Sequence, residues 1–86
     1  MVITQIDKPT IELLQKAIQI VLEQNHIPYR NIGVAEEENQ LLFLYEGKDH
    51  KVHVFKWSKA SSIGVNIGTL AQSVITPILP HLRLLS

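Results

Sequence analysis

Eighty-six residues, 45% hydrophobic and 19% charged, with eight basic and eight acidic side chains, describe a single globular domain over residues 1–86. That balance excludes intrinsic disorder, which needs few apolar residues and a large net charge. It also lacks the basic excess of a generic nucleic-acid binder. With no cysteine, disulfide scaffolds, thiolate metal sites and cysteine nucleophiles are excluded, and apolar burial alone must hold the fold.

The first seven residues, Met1 to Asp7, have neither a basic region nor an apolar run of a secretory leader, so a cytoplasmic location is expected. Pro9 to Gln24 then reads as an amphipathic helix. Ile11, Leu14, Ile18, Val21 and Leu22 recur at three-four spacing. Leu13, Ala17 and Ile20 widen the stripe, and Glu12, Gln15, Lys16, Gln19 and Glu23 lie opposite. Asp7 is placed to cap this helix with Pro9 in its first turn, and Asn25 and Pro28 to stop it.

Three strands follow. Tyr29 to Val34 is the weakest, interrupted by Gly33. After the polar turn Glu36 to Asn39, Gln40 to Tyr45 contains the unbroken apolar run Leu41-Leu42-Phe43-Leu44-Tyr45. The loop Glu46 to Asp49 contains Gly47, which can supply a positive φ. Lys51 to Trp57 forms the third strand.

From Ala60 to Leu82 no Asp, Glu, Lys or Arg occurs. Ile63, Val65 and Ile67 alternate with Gly64, Asn66 and Gly68, as a fourth strand or an extended lead-in would. Thr69 to Ile78 has helical spacing, limited by Pro77 and ended by Pro80. Asn66, Gln72, His81 and the glycines and prolines of this stretch argue against a membrane span. The order helix, three-stranded (or four-stranded) antiparallel meander, helix defines an α+β two-layer sandwich with both helices on one sheet face.

The other face should then be polar, and it is not. If Leu42, Leu44, Val52 and Val54 point to the helices, the open face collects Leu41, Phe43, Tyr45, His53, Phe55 and Trp57, flanked by Lys51 and Lys59. Four of the chain's five aromatic residues lie there. A monomer seldom leaves so large an apolar patch wet. These six residues are therefore the expected partner-binding surface. The candidate covers are a second copy stacking sheet on sheet, the uncharged C-terminal segment, a protein client or ligand, or nucleic-acid bases stacked beside lysines, the first being favoured. Met1 to Phe43 holds three basic and six acidic residues, and Leu44 to Ser86 five basic and two acidic, so the halves carry −3 and +3. Such asymmetry can orient two copies against each other.

Catalytic and metal-binding patterns are missing. His26, His50, His53 and His81 have no chelating spacing, and His50 and His53 should point to opposite strand faces. Gly64 to Gly68 lacks the lysine of a phosphate loop, and no G-x-S-x-G elbow occurs. Ser58, Ser61 and Ser62 near Lys59 have no activating partner in sequence. No catalytic residue, cofactor or metal is assigned.

The helix–strands–helix order resembles the double-stranded-RNA-binding domain, whose second helix opens with clustered lysines; here that position reads Gly68-Thr69-Leu70-Ala71-Gln72. Gly68-Thr69-Leu70 also resembles the opening of the last helix in the HicA-like ribonuclease toxins, whose catalytic histidine would fall near Asn39 or Gln40. A leading amphipathic helix against an apolar meander is similar to the type III secretion chaperone group, which binds clients or dimerises. The expected function is a small non-enzymatic protein-interaction module, an adaptor, chaperone-like or regulatory protein pairing with itself or a client. A nucleic-acid-binding module of the double-stranded-RNA-binding or HicA-like topology is the alternative.

Overall fold

The computed structural model describes residues Met1–Ser86. Helix α1 spans Lys8–Gln24, strands β1, β2 and β3 span Asn31–Glu36, Gln40–Glu46 and Val52–Ser58, and helices α2 and α3 span Ile67–Ile75 and Leu79–Leu85. The strands form one antiparallel sheet in the order β1-β2-β3, with the helices on one face. The α+β two-layer architecture is thus as the sequence predicts.

Local chemistry sets the helix ends. The Asp7 carboxylate accepts the Thr10 N–H at 3.0 Å, capping α1, with Pro9 in its first turn. At the other end Ile27 N–H donates to Leu22 O at 2.9 Å and His26 N–H to Glu23 O at 3.1 Å, around His26 in the left-handed region at φ 57°. This is a Schellman stop, and buried Ile27 and Leu22 supply its apolar contact.

Segment 63–67 is a lead-in, not a fourth strand. It pairs with the N-terminus: Ile3 N–H donates to Val65 O at 2.9 Å and Gly64 N–H to Ile3 O at 2.7 Å. The C-terminal helix departs from expectation too. A 3-10 turn over Thr76–Ile78 absorbs Pro77, and Pro80 opens α3 instead of ending the helical region. A proline in a first turn has no helical N–H to lose. Helix α3 then delivers Leu82 to the core.

The core is continuous. Leu14, Ile18, Val21 and Leu22 of α1 meet Leu70, Ala71 and Ile75 of α2 over Leu41, Phe43 and Tyr45 of β2, with Ile3, Ile27 and Leu82 closing its ends. The flanking Leu13 and Ile20 of α1 remain 43% and 54% exposed. Helix α1 packs along α2 and over β1, while α2 stands on the β3 side.

Candidate functional site

The faces of the sheet are the reverse of the sequence expectation. Leu41, Phe43 and Tyr45 are fully buried under the helices, and His53, Phe55 and Trp57 on β3 turn to the same inner side, half-buried. None of the six belongs to the outer face. Strand β2 is apolar on both sides, so alternation alone cannot choose between them, and a one-residue change of parity flips every side chain. Aromatic area decides it: each ring removes about 150–250 Å² from water, more than a valine can.

Inside, the rings find partners. Phe43 stacks on Phe55 with centroids 6.0 Å apart at 26°, and the His81 ring stands edge-on to Phe55 at 5.8 Å and to His53 at 6.0 Å. The Tyr45 hydroxyl donates to Pro28 O at 2.6 Å, and the Trp57 indole N–H to Ser62 Oγ at 2.9 Å. Burial, then the nearby Asp49 charge, pushes the Tyr45 pKa above its ordinary value. The uncharged C-terminal segment therefore lies over the aromatic face, which is core at β2 and half-buried at β3.

The outer face receives the aliphatic residues. Gly33, Leu44 and Val54 lie side by side across the three strands, and Ala35, Leu42 and Lys56 form the next row. Val52 and Val54 are 62% and 47% exposed. Leu44 Cδ1 lies 3.8 Å from where a Gly33 Cβ would stand, so its side chain leans over the glycine. Lys56 reaches back across β2 to Glu37 at 3.7 Å, an exposed and weak pair.

The sheet edges differ. Glu37 N–H donates to Gln40 O at 2.9 Å, so the odd residues of β1 bond to β2 and the even ones face outward. One outward donor, Val34 N–H, is taken by Gln15 Oε1 of α1 at 3.3 Å. Lys59 N–H donates to Asn39 O at 3.1 Å, which likewise turns the N–H and C=O of Val54 and Lys56 out of the β3 edge. No helix side chain meets them. Instead a cleft of about 660 Å³ opens between β3 and the α2 end of the C-terminal segment.

Sequence reasoning also missed a His–Asp pair. His53 Nε2 lies 2.7 Å from Asp49 Oδ2, each side chain about a third exposed or less. The Lys51 N–H and then the His53 ring hold the Asp49 carboxyl below its ordinary range. The four-residue spacing of Asp49 and His53 spans a loop and a strand start, so no helical periodicity signals it. Gly47 does not supply the positive φ there; His50 does, at φ 60°, which takes His50 off the strand. No group of three His, Cys, Asp or Glu side chains is arranged to hold a metal ion. No helix is long and apolar enough to cross a membrane. Helix α2 opens on Asn66 capping Gly68 N–H at 2.9 Å and carries no charged residue.

Fold and surfaces together define a small α+β two-layer domain with an aliphatic outer sheet face and an open β3 edge. No protein-family model matches the chain, and neither a curated protein nor a solved structure does.

Proposed function

We propose that this protein is a small non-enzymatic interaction module that pairs with a second copy of itself through the outer face of its sheet. The observation carrying the reading is the row Gly33, Leu44, Val54, with Val52 beside it: aliphatic side chains left wet where a two-layer domain normally presents polar ones.

Shape and charge favour one orientation. A two-fold axis parallel to the strands lays β1 of one copy over β3 of the other. Small Gly33 and Ala35 then face large Val54 and Lys56, and Glu37 and Glu38 of the acidic turn come to the Lys56 end of β3, Glu36 being held by Lys59 of its own chain at 2.8 Å. The pairing uses the −3 and +3 halves against each other.

Size sets the strength. Three strands about 4.8 Å apart, with residues rising about 3.4 Å each, give a footprint of roughly 350 Å². A stable pair buries about 800 Å² per partner, so this association is reversible and weak. Sedimentation velocity over about 10 µM to 1 mM, where micromolar to millimolar affinities register, tests it. The sedimenting mass should rise toward two chains with concentration, and Leu44→Glu should hold it at one. A wild-type mass of one chain across the whole range overturns the reading.

A further inference from the structure

The cleft between β3 and α2 is a separate surface from the outer face. Its two walls are Phe55 and Trp57 on the strand and Leu70, Val74 and Ile78 on the helical side. Its volume, about 660 Å³, lies within the roughly 300–1,000 Å³ of ligand pockets. Along its strand side run the outward N–H and C=O groups of Val54 and Lys56, with no partner in the chain. On the comparable edge of β1, α1 takes one outward donor, Val34 N–H, through Gln15. A helix side chain reaches one edge at a single donor, whereas the β3 edge meets none and lies beside an apolar trough.

We infer that this cleft binds an extended peptide that adds to β3 as a fourth strand, its alternate aliphatic side chains seated under α2 and an acidic side chain set beside Lys56. An added strand would lie about 4.8 Å from β3, where its backbone completes the hydrogen bonds of Val54 and Lys56. The period of two sends every second side chain toward Trp57 and Val74. Charge selects the sign. Lys56 is the only charged residue lining the cleft, its contact to Glu37 is long and exposed, and no ion pair engages Lys51 at the start of the strand. A second copy is the poorer occupant, because edge-to-edge pairing of two β3 strands brings Lys51 and Lys56 of each copy together, neither held by a close ion pair.

The test titrates the full chain, labelled for amide NMR, with a blocked nonapeptide alternating leucine and glutamate, and separately with its leucine–lysine counterpart. The Val54 and Lys56 amides should shift and gain exchange protection with the first peptide, which should bind about fivefold more tightly than the second, the scale of one exposed ion pair. Lys56→Glu, a surface change, should invert that preference. Val54→Pro removes an outward donor and no bond of the sheet, is compatible with an edge strand, and should weaken binding about tenfold. Leu44→Glu should leave peptide binding unchanged, which separates this cleft from self-association. Unperturbed Val54 and Lys56 amides at saturating peptide, or equal affinity for the two peptides, overturn the inference. So does protection of those amides that grows with protein concentration alone, since a second copy would then hold the edge.

Discussion

The Tyr45 hydroxyl and the Pro28 carbonyl oxygen lie 2.6 Å apart, tying the buried end of β2 to the link between α1 and β1. The phenol reaches the inner side of the sheet only because β2 presents its aromatic residues there. Tyr45→Phe keeps the ring and removes the donor, leaving the carbonyl without its partner. Urea unfolding should show a loss of about 1–2 kcal/mol. An unchanged midpoint would show that water replaces the hydroxyl at no cost.

Gly47 is required by proximity and not by φ. An added Cβ would occupy the space of the Leu85 carbonyl oxygen and stand 2.9 Å from Tyr45 Cε1. The same Leu85 carbonyl accepts Lys48 N–H at 2.9 Å, so the loop before β3 is what docks α3. Gly47→Ala should destabilise by about 1–3 kcal/mol, as overpacking does. Amide exchange should localise the damage to residues 79–86; uniform loss across the chain would contradict a docking role.

His26 occupies the left-handed position of the α1 stop, where glycine is the usual residue. His26 is exposed, so its ring is not part of the core. His26→Gly should raise stability by about 0.5–1 kcal/mol, the strain of the left-handed backbone less the added freedom of the unfolded chain. A destabilised variant would show that the ring itself contributes.

Acid should weaken the fold through two carboxylates. Hydrogen bonds from the Thr10 hydroxyl and N–H lower the Asp7 pKa, and the Lys51 N–H followed by His53 lowers that of Asp49. A lowered folded value means that the contribution is complete above the unfolded carboxylate range, near 3.9, and fades as pH falls through the folded value. The unfolding midpoint should therefore hold near neutrality and decline below about pH 4. Asp7→Asn with Asp49→Asn keeps acceptors at both places and removes the titration, so its decline between those limits should be shallower. An identical decline would assign the acid sensitivity elsewhere.

The order of elements was legible because each rests on a local rule: the three-four stripe from Leu14 to Leu22, the Asp7 cap, and the apolar run of β2. Boundaries moved where a tertiary partner intervened. Strand β1 shifts to Asn31–Glu36 to match β2, and Pro80 starts a helix, in whose first turn no N–H is needed, as Leu82 is drawn into the core.

The candidate surface was half legible. That the sheet has one apolar face too many follows from Leu41 to Tyr45 alone, since five consecutive apolar residues must serve both sides of a strand. Which side faces water does not follow, because a period of two is satisfied equally by either parity. Only the assembled layers choose, by burying the rings of Phe43 and Tyr45 and turning Phe55 and Trp57 to the same helix-covered side. The same packing, and nothing in the residue order, leaves the β3 edge without a helix partner while Gln15 reaches Val34 on β1, because an edge is a property of neighbours in space.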